Sequence, residues 1–182
     1  MELLTHRLLL RPLKLEDADD MTRLCQDRTL YENTLSLPWP FTKEMAQQFI
    51  QEVTKDQGIE QRGDHFAISL KATDEFIGVI GLSPLNRHDD TEVGYWLDQK
   101  FRGQGYMTEA LKEIIHFAFL KGAHRVSGRH FPWNPASGRV MEKAGMTYEG
   151  TQREALKKDD QYIDDVCYAV LKGEAAFKSS NL

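Results

Sequence analysis

The chain has 182 residues, with 28 acidic against 23 basic side chains and a net charge of −5. That length suits one domain over 1–182 with a sizeable core, and the acidic balance excludes the basic stripe expected of a nucleic-acid binder. No run approaches the eighteen or so apolar residues of a membrane span, and Met1-Glu2-Leu3-Leu4 meets His6 and Arg7 before any leader core forms, so a cytoplasmic protein is expected.

Arg7 to Leu13 (RLLLRPL) reads as an opening strand, with Pro12 tolerated near its end. Glu16 to Asp27 places Ala18, Met21, Leu24 and Cys25 at helical spacing behind an acidic first turn. Leu37-Pro38-Trp39-Pro40-Phe41 is a stiff aromatic connection, after which Thr42 caps a helix carrying Met45, Phe49, Ile50 and Val53. His65 to Lys71 and Phe76 to Leu82 form a hairpin pair around Ala72 to Glu75. Asn86 to Asp90 is a polar loop before the strand Thr91 to Leu97. Met107 to Lys121 is an amphipathic helix that Gly122 ends, and Arg125 to His130 is the next strand. A short helix, Ala136 to Ala144, stops at Gly145, and strands near Thr147–Leu156 and Tyr162–Lys172 close the pattern. The last ten residues, 173–182, read as a weak helix or frayed tail. Cys25 and Cys167 lie far apart within apolar patterns, which suits buried thiols, and no cysteine, histidine or carboxylate grouping has metal-ligand spacing. The order is that of a mixed α/β sheet, not a doubly wound one.

One stretch speaks of chemistry. A strand with alternating Val93, Tyr95 and Leu97 runs through Arg102-Gly103-Gln104-Gly105 directly into the helix that holds Tyr106 and Met107. Glycines that open a helix let several backbone N–H groups converge, and the helix N-terminus adds partial positive charge. The fitting guest is a phosphate or pyrophosphate. Two further landmarks follow in order: Asn134-Pro135-Ala136-Ser137 after the next strand, and Glu142-Lys143-Ala144-Gly145-Met146 before the one after.

Together with the opening THRLLLRPL, Gly94-Tyr95-Trp96-Leu97 and Thr108-Glu109-Ala110, these landmarks resemble the GNAT acyltransferases, within them the RimJ/RimL-like N-acetyltransferases. The resemblance runs from about Leu4 to Leu171. It implies a GNAT fold: a mixed, mostly antiparallel seven-stranded sheet with splayed central strands and about four helices. It implies acetyl-CoA as co-substrate, with no metal, and a family that often forms homodimers. By that likeness Trp96 and Leu97 line the pantetheine arm. Arg102, Gly103, Gln104, Gly105, Tyr106 and Met107 hold the pyrophosphate through backbone N–H groups, and the Arg102 guanidinium adds a charged contact. Asn134 bonds the pantetheine. Met107 stands where the family pattern has glycine or alanine, so its side chain must point away from the phosphates.

A backbone N–H freed by the splay, or by a bulge around Tyr95, Trp96 and Leu97, would stabilise the oxyanion. The helical tyrosine that protonates the thiolate in many GNAT enzymes is Met141 here, which cannot serve. The resemblance instead offers Ser137 toward the departing sulfur, with a plain helix cap as the alternative. The family's glutamate falls on Leu156 in register, so the base is open among Glu92, Glu154 and His130. Trp39, Phe41 and Trp133 are candidate acceptor walls, each with a packing role as the alternative. An α-amine near pKa 7.7–8.0 is about a tenth to a fifth neutral at pH 7, whereas a lysine near 10.4 is neutral about four times in ten thousand. A site without a strong base therefore suits a protein N-terminal α-amine. A small-molecule amine (polyamine, amino acid or antibiotic) and a non-catalytic acyl-CoA-binding module stand as the alternatives.

Overall fold

The computed structural model describes residues 1–54 and 63–174. One sheet of eight strands runs through it: β1 (Leu3–Leu4), β2 (Leu8–Pro12), β3 (Asp64–Leu70), β4 (Phe76–Leu82), β5 (Asp90–Leu97), β6 (Arg125–His130), β7 (Thr147–Lys158) and β8 (Gln161–Leu171). Its order is β1-β2-β3-β4-β5-β6-β8-β7. Five α-helices accompany it: α1 (Asp17–Leu24), α2 (Arg28–Asn33), α3 (Lys43–Thr54), α4 (Tyr106–Leu120) and α5 (Pro135–Lys143). The architecture is the mixed, mostly antiparallel sheet that the motifs implied, with one strand and one helix more than expected. The added strand, β1, has two residues, too few for a period-2 signal. The added helix, α2, buries only Leu30, so it carries no amphipathic repeat. Asp27 restarts the chain there as N-cap, accepting from the Thr29 N–H at 2.9 Å. Residues 175–182 of the expected tail lie outside the described residues.

Two apolar layers flank the sheet. On one face Met107, Ala110, Leu111, Ile114 and Ile115 of α4 pack with Leu8, Leu10, Ile68, Ile80 and Val126. On the other, Ala18, Met21 and Leu24 of α1 and Ala46 and Ile50 of α3 pack with Leu13, Ala67 and Val79. Strand β4 is buried along its whole length because it serves both layers. Each fully buried isoleucine there contributes about 1.5–3 kcal/mol.

The feature that matters lies between β5 and β6, the sheet's one parallel pair. Pairing covers only Asp90–Arg125, Thr91–Val126 and Glu92–Ser127. Beyond Glu92, β5 stays paired with β4 through Leu97, while β6 stays paired with β8 through His130. The strands part, leaving a wedge. The register of β5 on β4 is unbroken, so the splay alone opens the wedge and no bulge at Tyr95–Leu97 takes part.

Candidate active site

Strand alternation decides which backbone groups face the wedge. The Glu92 carbonyl accepts from Ser83 at 2.9 Å and the Asp98 N–H donates to Ile77 at 2.8 Å, both toward β4. The groups of Tyr95 and Leu97 therefore face the other way, into the gap where β6 has withdrawn. Two N–H groups with no partner among the described residues can serve as oxyanion donors.

At the lower end of the wedge, Gly103 (φ +75°) and Gly105 (φ +83°) take left-handed conformations, and Gly105 is the N-cap of α4. The N–H groups of Gly103, Gln104, Gly105, Tyr106 and Met107 find no acceptor among the described residues. A Cβ built on Gly103 would meet nothing within 4 Å. Five free donors at the start of a fifteen-residue helix fit a pyrophosphate. The Met107 side chain is buried in the core, away from the turn. Arg102 differs from the expectation: its own N–H bonds to the Gln99 carbonyl, and its guanidinium is committed elsewhere. Nε donates to the Leu97 carbonyl at 3.0 Å, Nη1 to Thr29 Oγ1 at 2.9 Å and Nη2 to Asp27 Oδ2 at 2.8 Å. The side chain closes the end of the wedge and ties it to α2. Beside the turn, Arg7 donates to the Gln104 carbonyl at 3.0 Å and pairs with Glu109 at 2.7 Å.

Above the turn, Asn134 caps α5 by backbone, while its side chain makes no cap bond and borders the cleft. Ser137 is the third residue of α5, so it is not the N-cap. Its Oγ lies 2.8 Å from the Tyr95 hydroxyl across the wedge. Burial pushes the Tyr95 phenol well above its ordinary range, and the Ser137 bond offsets only part of that. Met141 is buried in the core.

On the opposite face a second bridge crosses the same gap. Arg129 of β6 pairs with Glu92 of β5, and its other nitrogen donates to Asp165 Oδ2 of β8 at 2.8 Å. Burial pulls the Arg129 guanidinium downward, but the bonds to Glu92 and Asp165 more than compensate, and it is held above its usual value. Asp165 is 1% exposed, and its Oδ1 has no partner among the described residues.

A continuous cleft of about 1640 Å³ joins these parts. Drug-sized ligand sites usually span about 300–1,000 Å³, so there is room for a long cofactor and a second molecule. Its lining includes Glu92, Tyr95, Trp96, Leu97, Arg102, Gly103, Gly105, Tyr106, Met107, Asn134 and Ser137, so the structure brings most of the expected residues together. Gln104 contributes through the turn's backbone. Of the candidate bases, Glu92 and His130 border the cleft and Glu154 does not. His130 Nδ1 is engaged with the Phe131 carbonyl at 2.8 Å. The acceptor walls differ from expectation. Phe41 borders the cleft as a buried core residue, but Trp39 turns toward Tyr31, with ring centroids 6.1 Å apart. Trp133 packs at a tilt against Phe131, with ring centroids 5.0 Å apart, and its Nε1 donates to the Glu32 carbonyl at 3.3 Å. Neither tryptophan lines the cleft; Leu35, Leu37, Pro38 and Met45 do. The motif that holds Tyr95 pointed to its backbone and not to its hydroxyl, and the Arg129–Asp165 pair had no motif to announce it. The pairing of Glu92 with Ser127 puts Arg129, two residues further on, on the same face, a register that only the fold shows.

Comparison with known proteins agrees with this geometry. Residues 7–147 match the acetyltransferase (GNAT) domain. The N-acetyltransferase p20 of Bacillus licheniformis is 30% identical over 178 residues, covering 96% of this chain and 98% of that protein. The ribosomal-protein-serine acetyltransferase of Escherichia coli strain K12 is 31% identical over 150 residues, covering 80% and 82% respectively. The fold also matches the solved structure of RimL, a ribosomal L7/L12 α-N-protein acetyltransferase in complex with coenzyme A. That match has a TM-score of 0.81 at 22% identity, over 94% of this chain and 98% of the other.

Proposed function

The chain belongs to the GNAT acetyltransferase family, and from that premise we propose that it moves an acetyl group from acetyl-CoA to the α-amine of a protein or peptide, by direct transfer in a ternary complex. The observation that carries the choice of acceptor is the state of Glu92. This carboxylate stands where the wedge opens, and the Arg129 guanidinium already holds it. The pair occupies a Glu92 oxygen, so an acceptor that arrives partly neutral, as an α-amine does and a lysine does not, suits the site better. Two further points support the reading. Relatives are named as ribosomal-protein acetyltransferases. The acceptor end is also not roofed by Trp39, and Leu35 on its rim stays 48% exposed, which suits an extended peptide better than an enclosed small amine.

In this reading the Gly103–Met107 N–H groups hold the pyrophosphate and the Asn134 amide orients the pantetheine arm. The thioester carbonyl then lies against the Tyr95 and Leu97 N–H groups. The amine lone pair attacks the carbonyl carbon, and the carbonyl electron pair moves to the oxygen that those donors face. The amine's proton leaves by way of water ordered on Glu92. The electron pair returns, the C–S bond breaks, and coenzyme A departs beside Ser137.

The test is coenzyme A release from acetyl-CoA with N-terminal peptides beside free polyamines, amino acids and aminoglycosides. Turnover of peptides at least tenfold faster than of any small amine is expected, with the product acetylated on its α-nitrogen by mass spectrometry. Turnover confined to small amines would overturn the acceptor assignment. Acetyl-CoA binding without turnover of any amine would point to a non-catalytic acyl-CoA-binding module.

A further inference from the structure

The wedge is crossed on its cofactor face by a contact that no motif explains. Tyr95 rises from β5 and Ser137 comes from α5, 42 residues later, yet their hydroxyls lie 2.8 Å apart. The Tyr95 hydroxyl also lies 3.3 Å from the Ser137 backbone carbonyl, a longer and weaker alternative. Both residues border the cleft where the thioester would lie. We propose that Tyr95 is a positioning residue: its phenol donates to Ser137 Oγ and thereby turns the single serine proton toward the sulfur of bound coenzyme A. The inference rests on the acetyl-transfer reading of the cleft, though not on which amine is the acceptor.

The chemistry follows from counting protons. Each hydroxyl has one hydrogen to donate, so only two ordered arrangements exist. In the first, Ser137 donates to the phenol oxygen and the phenol donates to the Ser137 carbonyl. In the second, the phenol donates to Ser137 Oγ and the serine proton is left to face the cleft. Both keep the 2.8 Å bond; the first adds only the long 3.3 Å contact, whereas the second presents a fixed donor where negative charge develops as the sulfur takes the C–S electron pair, so it is the arrangement that the departing thiolate selects. Tyr95 does not act as the acid. Burial holds its proton far more firmly than a thiolate could extract it, so the phenol remains a donor throughout the cycle. Coenzyme A therefore leaves as the thiolate, stabilised by the Ser137 hydrogen bond, and the one proton released is that of the amine. Met141, buried at the place of the helical tyrosine described above, offers no proton there, which leaves the role to this two-hydroxyl chain in the proposal.

Three variants test it: Tyr95→Phe, Ser137→Ala and the double variant. Tyr95→Phe keeps the ring and its packing. It is expected to lower kcat about tenfold, the scale of one hydrogen bond to a charged group, with KM for acetyl-CoA within twofold of the native value. Because Tyr95 acts through Ser137, the double variant should be no slower than Ser137→Ala alone. A binding readout needs no acceptor: the affinity of coenzyme A relative to desulfo-coenzyme A between pH 7 and 9.5. In the native protein the preference for the thiol compound should rise as the thiol ionises, and in both single variants it should stay flat. Additive losses in the double variant, or an unchanged pH-dependent preference in Tyr95→Phe, would overturn the positioning role. Failure of every amine in turnover, with the pH-dependent preference intact, would count against the acceptor assignment and leave the role of Tyr95 supported.

Discussion

The two faces of the wedge are built by different means. On the cofactor face, contiguous backbone does most of the work: five N–H groups in a row from Gly103 to Met107, two glycines at positive φ, and one helix start. On the acceptor face the groups are side chains from distant parts of the chain. Glu92, Arg129 and Asp165 come from three strands, and Leu37 and Phe41 from the connection before α3. Backbone binding is generic and requires particular residues only where a conformation demands glycine. Side-chain binding is specific and can vary without disturbing the turn. One scaffold can thus keep a single acyl donor while its acceptor changes.

The largest expected effect breaks the cofactor face alone. Gly105→Val forces a β-branched residue into φ +83°, a conformation costing about 1–2 kcal/mol even for an unbranched residue. A Cβ there would also lie 3.4 Å from an Arg7 nitrogen. Affinity for acetyl-CoA should fall about thirtyfold by calorimetry, since displaced N–H groups no longer converge. KM for the acceptor should change far less. A variant that binds acetyl-CoA normally would remove the turn from the phosphate site.

The acceptor face should break differently. Arg129→Met removes the one partner recorded for the Asp165 carboxylate among the described residues and frees Glu92. Stranding a buried charge costs about 3–5 kcal/mol, and the half-exposed arginine reduces that to about 2 kcal/mol. Thermal unfolding should fall by about 4–8 °C for a domain of this size. Adding Asp165→Asn should recover most of the loss, because the stranded charge is gone. Activity should fall through KM for the acceptor, with KM for acetyl-CoA unmoved; the reverse pattern would place Arg129 on the cofactor side.

The same contrast explains what was legible in the amino-acid sequence. The helix α4, the strands β3 to β6 and the glycine turn are local patterns, and the structure places them within a residue or two of their expected bounds. The place of Ser137 and Asn134 beside the cleft was legible because the family motif is short and contiguous. Arg102 misled because a motif names a residue and not the direction of its side chain; Asp27 and Thr29, some 75 residues earlier, claim the guanidinium. Trp39 and Trp133 misled for a related reason. Large aromatic rings beside prolines suit a binding wall and a packing plug equally, and the contacts to Tyr31, Phe131 and Glu32 that decide between them are set by the folded backbone. Asp164 and Asp165 look alike in sequence, two neighbouring acids in a hairpin, yet strand parity turns Asp165 inward against Arg129 while Asp164 stays outward and accepts from the Glu154 N–H.

The two faces are also tied to each other, and pH should reveal the tie as the smallest of these effects. Asp27 caps α2 on the acceptor side and pairs with Arg102 at the end of the cofactor turn. Burial alone would raise its pKa, but the bonds from Thr29 and the Arg102 charge outweigh burial and hold it below the ordinary carboxylate range. A depressed folded-state value means the stabilisation is complete above the unfolded value, near 3.9, and is lost as pH falls through the folded one. Asp27→Asn keeps a competent N-cap, since asparagine caps as well as aspartate, and removes only the charge. At pH 7 the variant should lose about 1 kcal/mol, or 2–4 °C in Tm, as befits a partly exposed pair. As pH falls below about 3.9 the difference should begin to shrink, and once it passes the lowered folded value the native aspartate is protonated and nearly equivalent to the asparagine, so the two melting curves should converge. A Tm difference that persists undiminished to pH 3 would mean that the Asp27 charge does not couple the faces, and that the cap alone holds α2 in place.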